Sequence, residues 1–568
     1  MKKSLTVVGA VLAASMALTA CSSNNNNSQS SPSASASSSP SASPSASQTA
    51  ATYENFPHVH YDLGATRHVP FTEITKDNVN DLGVVWTLDF KSLDPSIPNG
   101  NQNFSMVIDG IAYLTTSKNH VFAVNALTGE PIWHWAPDEA LYENTKNMYI
   151  VANRGVAVAE GKVYMLLLDN RLVAIDQKTG ETVKIVNISD AVEGVTVENG
   201  YYETVAPVYF NGNIYVGSSG GDNGVRGFVM AYKASDLTAA WDSPFWVVPP
   251  KGQDWLKNAK WNGGGAVWNP MSFDEETGLM YFGTGNPAPD LYGVDRPGAN
   301  PYTDSIVALD SATGKLVWVQ QQVSHDLWDY DSAATPMLIT AKINGAERKV
   351  VVHGSKSGEW WAYDYKTGEI IYDAVQFAKI IDHPEPTEEG VLIYPGIYGG
   401  QNYAPETYDP ESNYVLIPGI EMPSLVKSAP DGAEEVSEFG TTIGEVPPDI
   451  IPYGTVTAID MNTGKVAYQY DTDQEMRGGF TSTASGIAFY GELNGKFRAL
   501  DIKSGKIIWE FQIDGNTIMS APSIFTVDGK QYILLTSGGT KPKAFVFALG
   551  GDKTQGAATE STEKGAHG

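Results

Sequence analysis

Short runs of alternating apolar and polar residues, each broken by a polar turn, recur through most of the chain, and one unit repeats. It reads apolar, Ala, apolar, Asp, then Thr-Gly or Ser-Gly, then a second alternating run ending in an aromatic. "VFAVNALTGEPIWHW", "LVAIDQKTGETVKIV", "IVALDSATGKLVWVQ", "WWAYDYKTGEIIYDA", "VTAIDMNTGKVAYQY" and "FRALDIKSGKIIWEF" all fit. Period-two alternation predicts strands, and the Asp-x-x-Thr-Gly turn predicts tight connections in which Asp bonds turn amides and Gly takes the left-handed conformation. Weaker copies lie at "FVMAYKASDLTAAW" and "AFVFAL", and the alanines Ala123, Ala174, Ala231, Ala308, Ala362, Ala458, Ala499 and Ala548 mark eight units.

The units are spaced by roughly 40–60 residues, with longer gaps before Ala308 and Ala458 that predict inserted loops. Four-stranded units at this period, rich in Trp and Gly, predict an all-β fold, a single eight-bladed β-propeller over residues 53–550. "NVNDLGVVWTLDF" near the start of the chain supplies an outer strand ending near Trp86, so the two ends are expected to share one blade. Trp133, Trp318 and Trp509 read as wedges between blades.

The ends differ in composition. Residues 1–21 carry Lys2 and Lys3, a short apolar run and Leu18-Thr19-Ala20-Cys21, the layout of a secretory signal. That ending resembles the lipobox of bacterial lipoproteins, which implies acylation of Cys21, the sole cysteine, and an exported chain held at the extracytoplasmic face of a bacterial membrane, periplasmic or at the cell surface. Residues 22–52 are Ser, Asn, Pro and Ala, with too little to bury to offset the entropy of ordering, and read as a tether; residues 551–568 read as a flexible tail. A formal net charge of −28 argues against a nucleic-acid partner, whose phosphates would be repelled.

Non-repeat residues carry the chemistry. "ANRGVAV", "TVAPVYFNGNIYVGSSGGDNGVRGFV", "GGGAVWNPMSFD", "YFGTGNPAPD", "HDLWDYD", "GSKSGEW" and "GGQNYAP" follow one another in an order that resembles the pyrroloquinoline quinone (PQQ) dehydrogenases, quinoproteins that oxidise alcohols or glucose. The resemblance implies PQQ and one hard cation as cofactors. It places Arg154, Thr204, Ser219, Trp268, Lys356 and Asn402 around the quinone, and Asp222, Asn286 and Asp329 on the ion, with Asp329 as general base and Lys356 at the quinone oxygens. The residue types suit these roles, since a flat ortho-quinone with three carboxylates wants an aromatic floor and local cations, and oxygen donors suit Ca²⁺.

The sequence departs from the alcohol-oxidising pattern in places. Adjacent cysteines before the arginine are replaced by Met148, Tyr149 and Ile150, and Tyr149 is expected to cover the quinone instead. Asp222-Asn223, "HDLWD" and Lys356 resemble the membrane glucose dehydrogenase branch. Asp331 resembles the extra aspartate of lanthanide-dependent members, though sugar-type members with a divalent ion also carry acid there, so Ca²⁺ is the first expectation and a lanthanide the second. No Cys-x-x-Cys-His occurs, which implies a separate electron acceptor, a cytochrome c or a membrane quinone. The alternative is a non-catalytic lipid-anchored propeller acting as a binding or assembly scaffold. His325 and Asp326 acquire no role from the sequence.

Overall fold

A computed structural model describes residues 51–554 apart from 98, 139–150, 258–262, 382, 429–440, 445 and 514. Cys21, Tyr149, the leader, all but the last two residues of the tether, and the tail from 555 lie outside the described residues.

The repeat folds as read, into eight antiparallel blades that follow one another along the chain. The marker alanines sit on the third strands: Val121–Asn125, Arg171–Asp176, Phe228–Lys233, Ser305–Asp310, Glu359–Asp364, Tyr453–Asp460, Lys496–Asp501 and Lys543–Leu549. All eight are buried, because the residue opposite is often the repeat aromatic: Ala123 faces Trp133, Ala308 faces Trp318, Ala458 faces Tyr468 and Ala499 faces Trp509. A small side chain there makes room for the large one.

The aromatic then reaches the next blade. Trp133 Nε1 donates to Gln177 O at 3.0 Å, and Trp86, Trp241 and Trp318 make the same bond to Ala126, Ser311 and Tyr365. Gly180, at φ +74°, lies so close under Trp133 that a Cβ there would stand 2.8 Å from the ring. The repeat glycine thus serves both the turn and the packing of one blade on the next. Gly180→Ala is expected to cost about 2 kcal/mol from the left-handed backbone and the overpacked ring together. Urea unfolding measures it, and a loss below about 0.5 kcal/mol would contradict this account of the wedge.

The ring closes with both ends in one blade, where Leu82–Asp89 pairs antiparallel with Lys543–Leu549. Ahead of that strand, the segment from Tyr53 to Val69 crosses the hub. Its backbone bonds or bridges to Val527, Val107, Phe273, Leu338, Tyr408 and Ser482, one residue on the innermost strand of each of six blades. Arg67, fully buried, staples it with bonds to Val59 O, Phe480 O and Pro522 O. The gap before Ala458 holds the expected insertion, a small sheet of Val391–Ile393, Ser424–Ser428 and Thr441–Gly444. Among the described residues no helix is long and apolar enough to cross a membrane.

Candidate active site

In an up-and-down blade, the start of the first strand and the end of the second lie at the same end. Arg154, Thr204, Trp268, Asp329, Asp331 and Asn402 all precede first strands, namely Ala157–Ala159, Val208–Phe210, Ser272–Phe273, Met337–Ile343 and Thr407–Asp409. Ser219 and Asp222 follow the second strand Asn213–Val216, Asn286 follows Leu279–Gly283, and Lys356 follows Ala346–Gly354. Topology therefore gathers residues spread over some 250 positions of sequence at one end of the hub. All of them except Asn286 line one cavity of about 570 Å³. Asn286 is buried beside it and supports Asp290, which does line it.

One end of the cavity calls for an anion. Arg154 is buried, donates to Thr204 Oγ1 at 2.6 Å and Trp268 O at 3.3 Å, and leaves its Nε without a partner among the described residues. No carboxylate pairs with it there, and burial pulls its guanidinium down to about 10. Thr204 and Ser219 share a hydroxyl contact of 2.9 Å beside it. A buried cation with no counter-charge is costly until an anion arrives. Asn402 also lines the cavity, but its amide bonds its own loop, Nδ2 to Tyr398 O at 3.0 Å and Oδ1 from Tyr403 N at 2.9 Å. It shapes the wall through that loop.

The other end is acidic. Lys356 Nζ donates to Asp329 Oδ1 at 2.8 Å and Asp331 Oδ1 at 2.9 Å. Burial works against the charge on the lysine, but the two carboxylates outweigh it and hold it charged. For Asp331 burial is outweighed by Lys356 and by the bond from Trp268 Nε1 at 2.7 Å, so it stays ionised. Asp329 is pushed the other way, by burial first and then by Asp331, Asp290 and Asp222, against the pull of Lys356. Its side chain is 22% exposed, where that of Asp331 is 5% exposed, so Asp329 is the one a ligand can reach.

The loop carrying Asp329 is held from several sides. Asp326 accepts from Trp328 N at 2.9 Å and Tyr330 N at 2.8 Å, which gives the first aspartate of "HDLWDYD" its role as the cap of this turn. Trp328 and Tyr330 donate to Pro384 O and Pro395 O, and His325 Nδ1 lies 2.8 Å from Gly298 O. Asp329 itself sits at φ +64°, a left-handed backbone that aspartate tolerates at some cost and that the caps hold in place.

Trp268 ties the two ends together. The Arg154 guanidinium lies 4.6 Å from its ring centroid while its Nε1 is bonded to Asp331. The indole thus lies between the unpaired Arg154 and the Asp331–Lys356 pair.

Sequence reasoning passed over several residues here. Asp290, four positions after Asn286, is fully buried with Oδ1 unpartnered among the described residues, and burial with Asp222 and Asp331 nearby raises it well above the carboxylate range. Its signal was a second oxygen donor in the already singled-out "GNPAPD". Arg296 donates to Pro289 O at 2.8 Å, Asp290 O at 3.1 Å and Asp326 O at 2.5 Å, clamping the Asn286–Asp290 loop to the Asp329 loop. Leu291 and Ile397 form an apolar wall that packs with Trp328.

The profile for the glucose/ethanol/alcohol dehydrogenase β-propeller domain (PQQ) matches residues 56–380 and 441–533. The chain belongs to the quinoprotein, PQQ-dependent alcohol dehydrogenase family. It is 31% identical over 529 residues to the quinohemoprotein alcohol dehydrogenase of Comamonas testosteroni, covering 86% of this chain and 73% of that one. The crystal structure of that protein superposes with a TM-score of 0.79 at 28% identity, over 90% of this chain and 82% of the other. The 1-butanol dehydrogenase (cytochrome c) of Thauera butanivorans is 29% identical over 560 residues, 88% of this chain and 79% of its own. As a member of an enzyme family with its site residues gathered, the chain is a quinoprotein alcohol dehydrogenase, and the scaffold alternative falls.

The family's cofactors fit the residues present. The unpartnered Arg154 Nε suits a carboxylate, and the Trp268 indole suits a flat ring. Asp222, Asn286, Asp290 and Asp329 are all oxygen donors, and a hard cation would relieve the crowding of the three carboxylates among them. Among the described residues no three acidic or imidazole groups form a ready cage.

Proposed function

We propose that this quinoprotein oxidises primary alcohols at the Asp329–Lys356 end of the cavity, with Asp329 as general base. The carrying observation is that Trp268 joins an uncompensated arginine to that acidic end. PQQ together with a hard cation would supply an electrophilic ortho-quinone as hydride acceptor. Arg154, Thr204 and Ser219 would seat a carboxylate of the cofactor and Lys356 would face the quinone oxygens. Asp222, Asn286 and Asp329 would hold the ion, with Asp290 as a further oxygen donor.

This chain's own groups prepare the step. Asp329, once a cation and Lys356 favour its ionised form, takes the substrate hydroxyl proton. Asp331 stays ionised, fixes Lys356 and holds the indole in plane. The Leu291 and Ile397 wall gives an alkyl chain a place beside Asp329 and offers no partners for a sugar's hydroxyls, which favours alcohols over glucose. Asp331 has both oxygens engaged, by Lys356 and Trp268, which favours a divalent ion such as Ca²⁺ over a lanthanide.

The test is reconstitution of the chain with PQQ and either Ca²⁺ or La³⁺, following dye reduction with methanol, ethanol, butanol and glucose. Activity with Ca²⁺ and alcohols is expected, and no PQQ binding with either ion would end the reading. Asp331→Ala should lower activity with both ions by loosening Lys356; loss confined to La³⁺ would instead make Asp331 a ligand of a trivalent ion.

Electrons are proposed to leave to a separate cytochrome c or membrane quinone, with the enzyme held to a bacterial membrane through Cys21. Cys21→Ser is expected to move the protein from the membrane to the soluble fraction on fractionation, and unchanged partition would remove the anchor.

A further inference from the structure

The cavity has three cations in its lining, and one of them has no assignment. Lys356 is committed to Asp329 and Asp331, and Arg154 with Thr204 and Ser219 makes one complete anion seat. The third is Arg477. Its Nε is buried without a partner, and no ion pair or hydrogen bond of its side chain exists among the described residues. Its guanidinium lies 4.3 Å from the centroid of the Tyr398 ring. Tyr403 feels both arginines, so Arg477 and Arg154 flank one tyrosine on the cavity wall.

The backbone holds Arg477 in place. Met476 N donates to Gly419 O at 3.3 Å and Phe480 N to Pro405 O at 3.1 Å, one on either side of it. The Tyr398–Tyr403 loop is fixed in turn by Gly400 N to Lys356 O at 2.7 Å. In a chain of net charge −28, an arginine on a cavity wall has many acids to pair with, yet this one faces the cavity unpaired. A guanidinium in that state matches the planar oxygen pair of a carboxylate.

We infer that Arg477 is a second carboxylate-binding residue of this cavity, resting on the quinoprotein reading for what brings the carboxylate. The group comes either from the cofactor, which has three carboxylates and finds one other complete seat among the described residues, or from an acidic end on the substrate.

Arg477→Gln and Arg477→Lys, purified as the whole chain without cofactor, are titrated calorimetrically with trimesate, a benzene tricarboxylate, as probe. Arg477→Gln is expected to bind at least about tenfold more weakly than wild type, with Arg477→Lys in between. Unfolding midpoints guard against a folding defect. Titration with PQQ, read by tryptophan fluorescence, separates the sources. A matching loss of PQQ affinity assigns Arg477 to the cofactor. Unchanged PQQ affinity, with a roughly tenfold fall in kcat/KM for terminal hydroxybutyrate relative to butanol, assigns it to the substrate. Wild-type values for trimesate, PQQ and that ratio in Arg477→Gln would overturn the inference. A wild type that binds trimesate through Arg477 but not PQQ would sink the quinoprotein reading alone.

Discussion

Asp329→Asn is expected to lower kcat by about 10³-fold, within the 10²–10⁴ range of a lost general base. Asparagine keeps the shape and accepts the left-handed backbone at φ +64°, so the Asp326-capped turn survives. Lys356 keeps its bond to Asp331, which leaves a simple ion pair in place of a shared cation. What disappears is a carboxylate that is part-exposed to the cavity and able to take a proton. Steady-state dye reduction together with PQQ titration reads the two effects apart. Retained PQQ binding with kcat within tenfold of wild type would refute Asp329 as the base.

Lys356→Met carries the largest expected stability cost. The substitution removes the single cation 2.8 Å from Asp329 and 2.9 Å from Asp331, and leaves two carboxylates facing each other at low solvent exposure. One of them has to take up a proton, and Asp329 is already pushed that way. Breaking such a pair from one side costs about 3 kcal/mol or more, because the partner charges remain buried. Urea unfolding of the metal-free protein measures this. Added Ca²⁺ is expected to recover part of the loss, since a divalent ion answers the same excess of negative charge. A loss below about 1 kcal/mol would mean that water screens the site as it does a surface pair.

The propeller was open to sequence reading because its cause is local and repeated. Ala123 faces Trp133 and Ala499 faces Trp509 for the same steric reason, and each instance leaves the same imprint on the sequence. Arg154, Trp268, Asp329 and Lys356 were legible for a different reason, their order along the chain, which the closed ring converts into one lined cavity. Asn402 shows the limit of that reasoning: it lines the cavity, but its amide turns back on its own loop. Asp326 acquired no role beforehand because capping depends on the fold of a turn that no residue pattern announces. Arg296 and Arg477 stayed hidden for a related reason. Whether an arginine binds carbonyls, pairs with acid or stands alone is decided by what the other blades bring to it.

The segment from Tyr53 to Val69 meets the innermost strands beyond their starts, while every cavity residue lies before a first strand or after a second. The hub is therefore stoppered at the end away from the chemistry. An alcohol and its oxidised product are therefore expected to pass by the cavity end, and an electron acceptor to dock on that side. A shared side favours product leaving before the acceptor draws near, the order of a double-displacement cycle. Parallel rather than intersecting double-reciprocal lines are the result expected of that order.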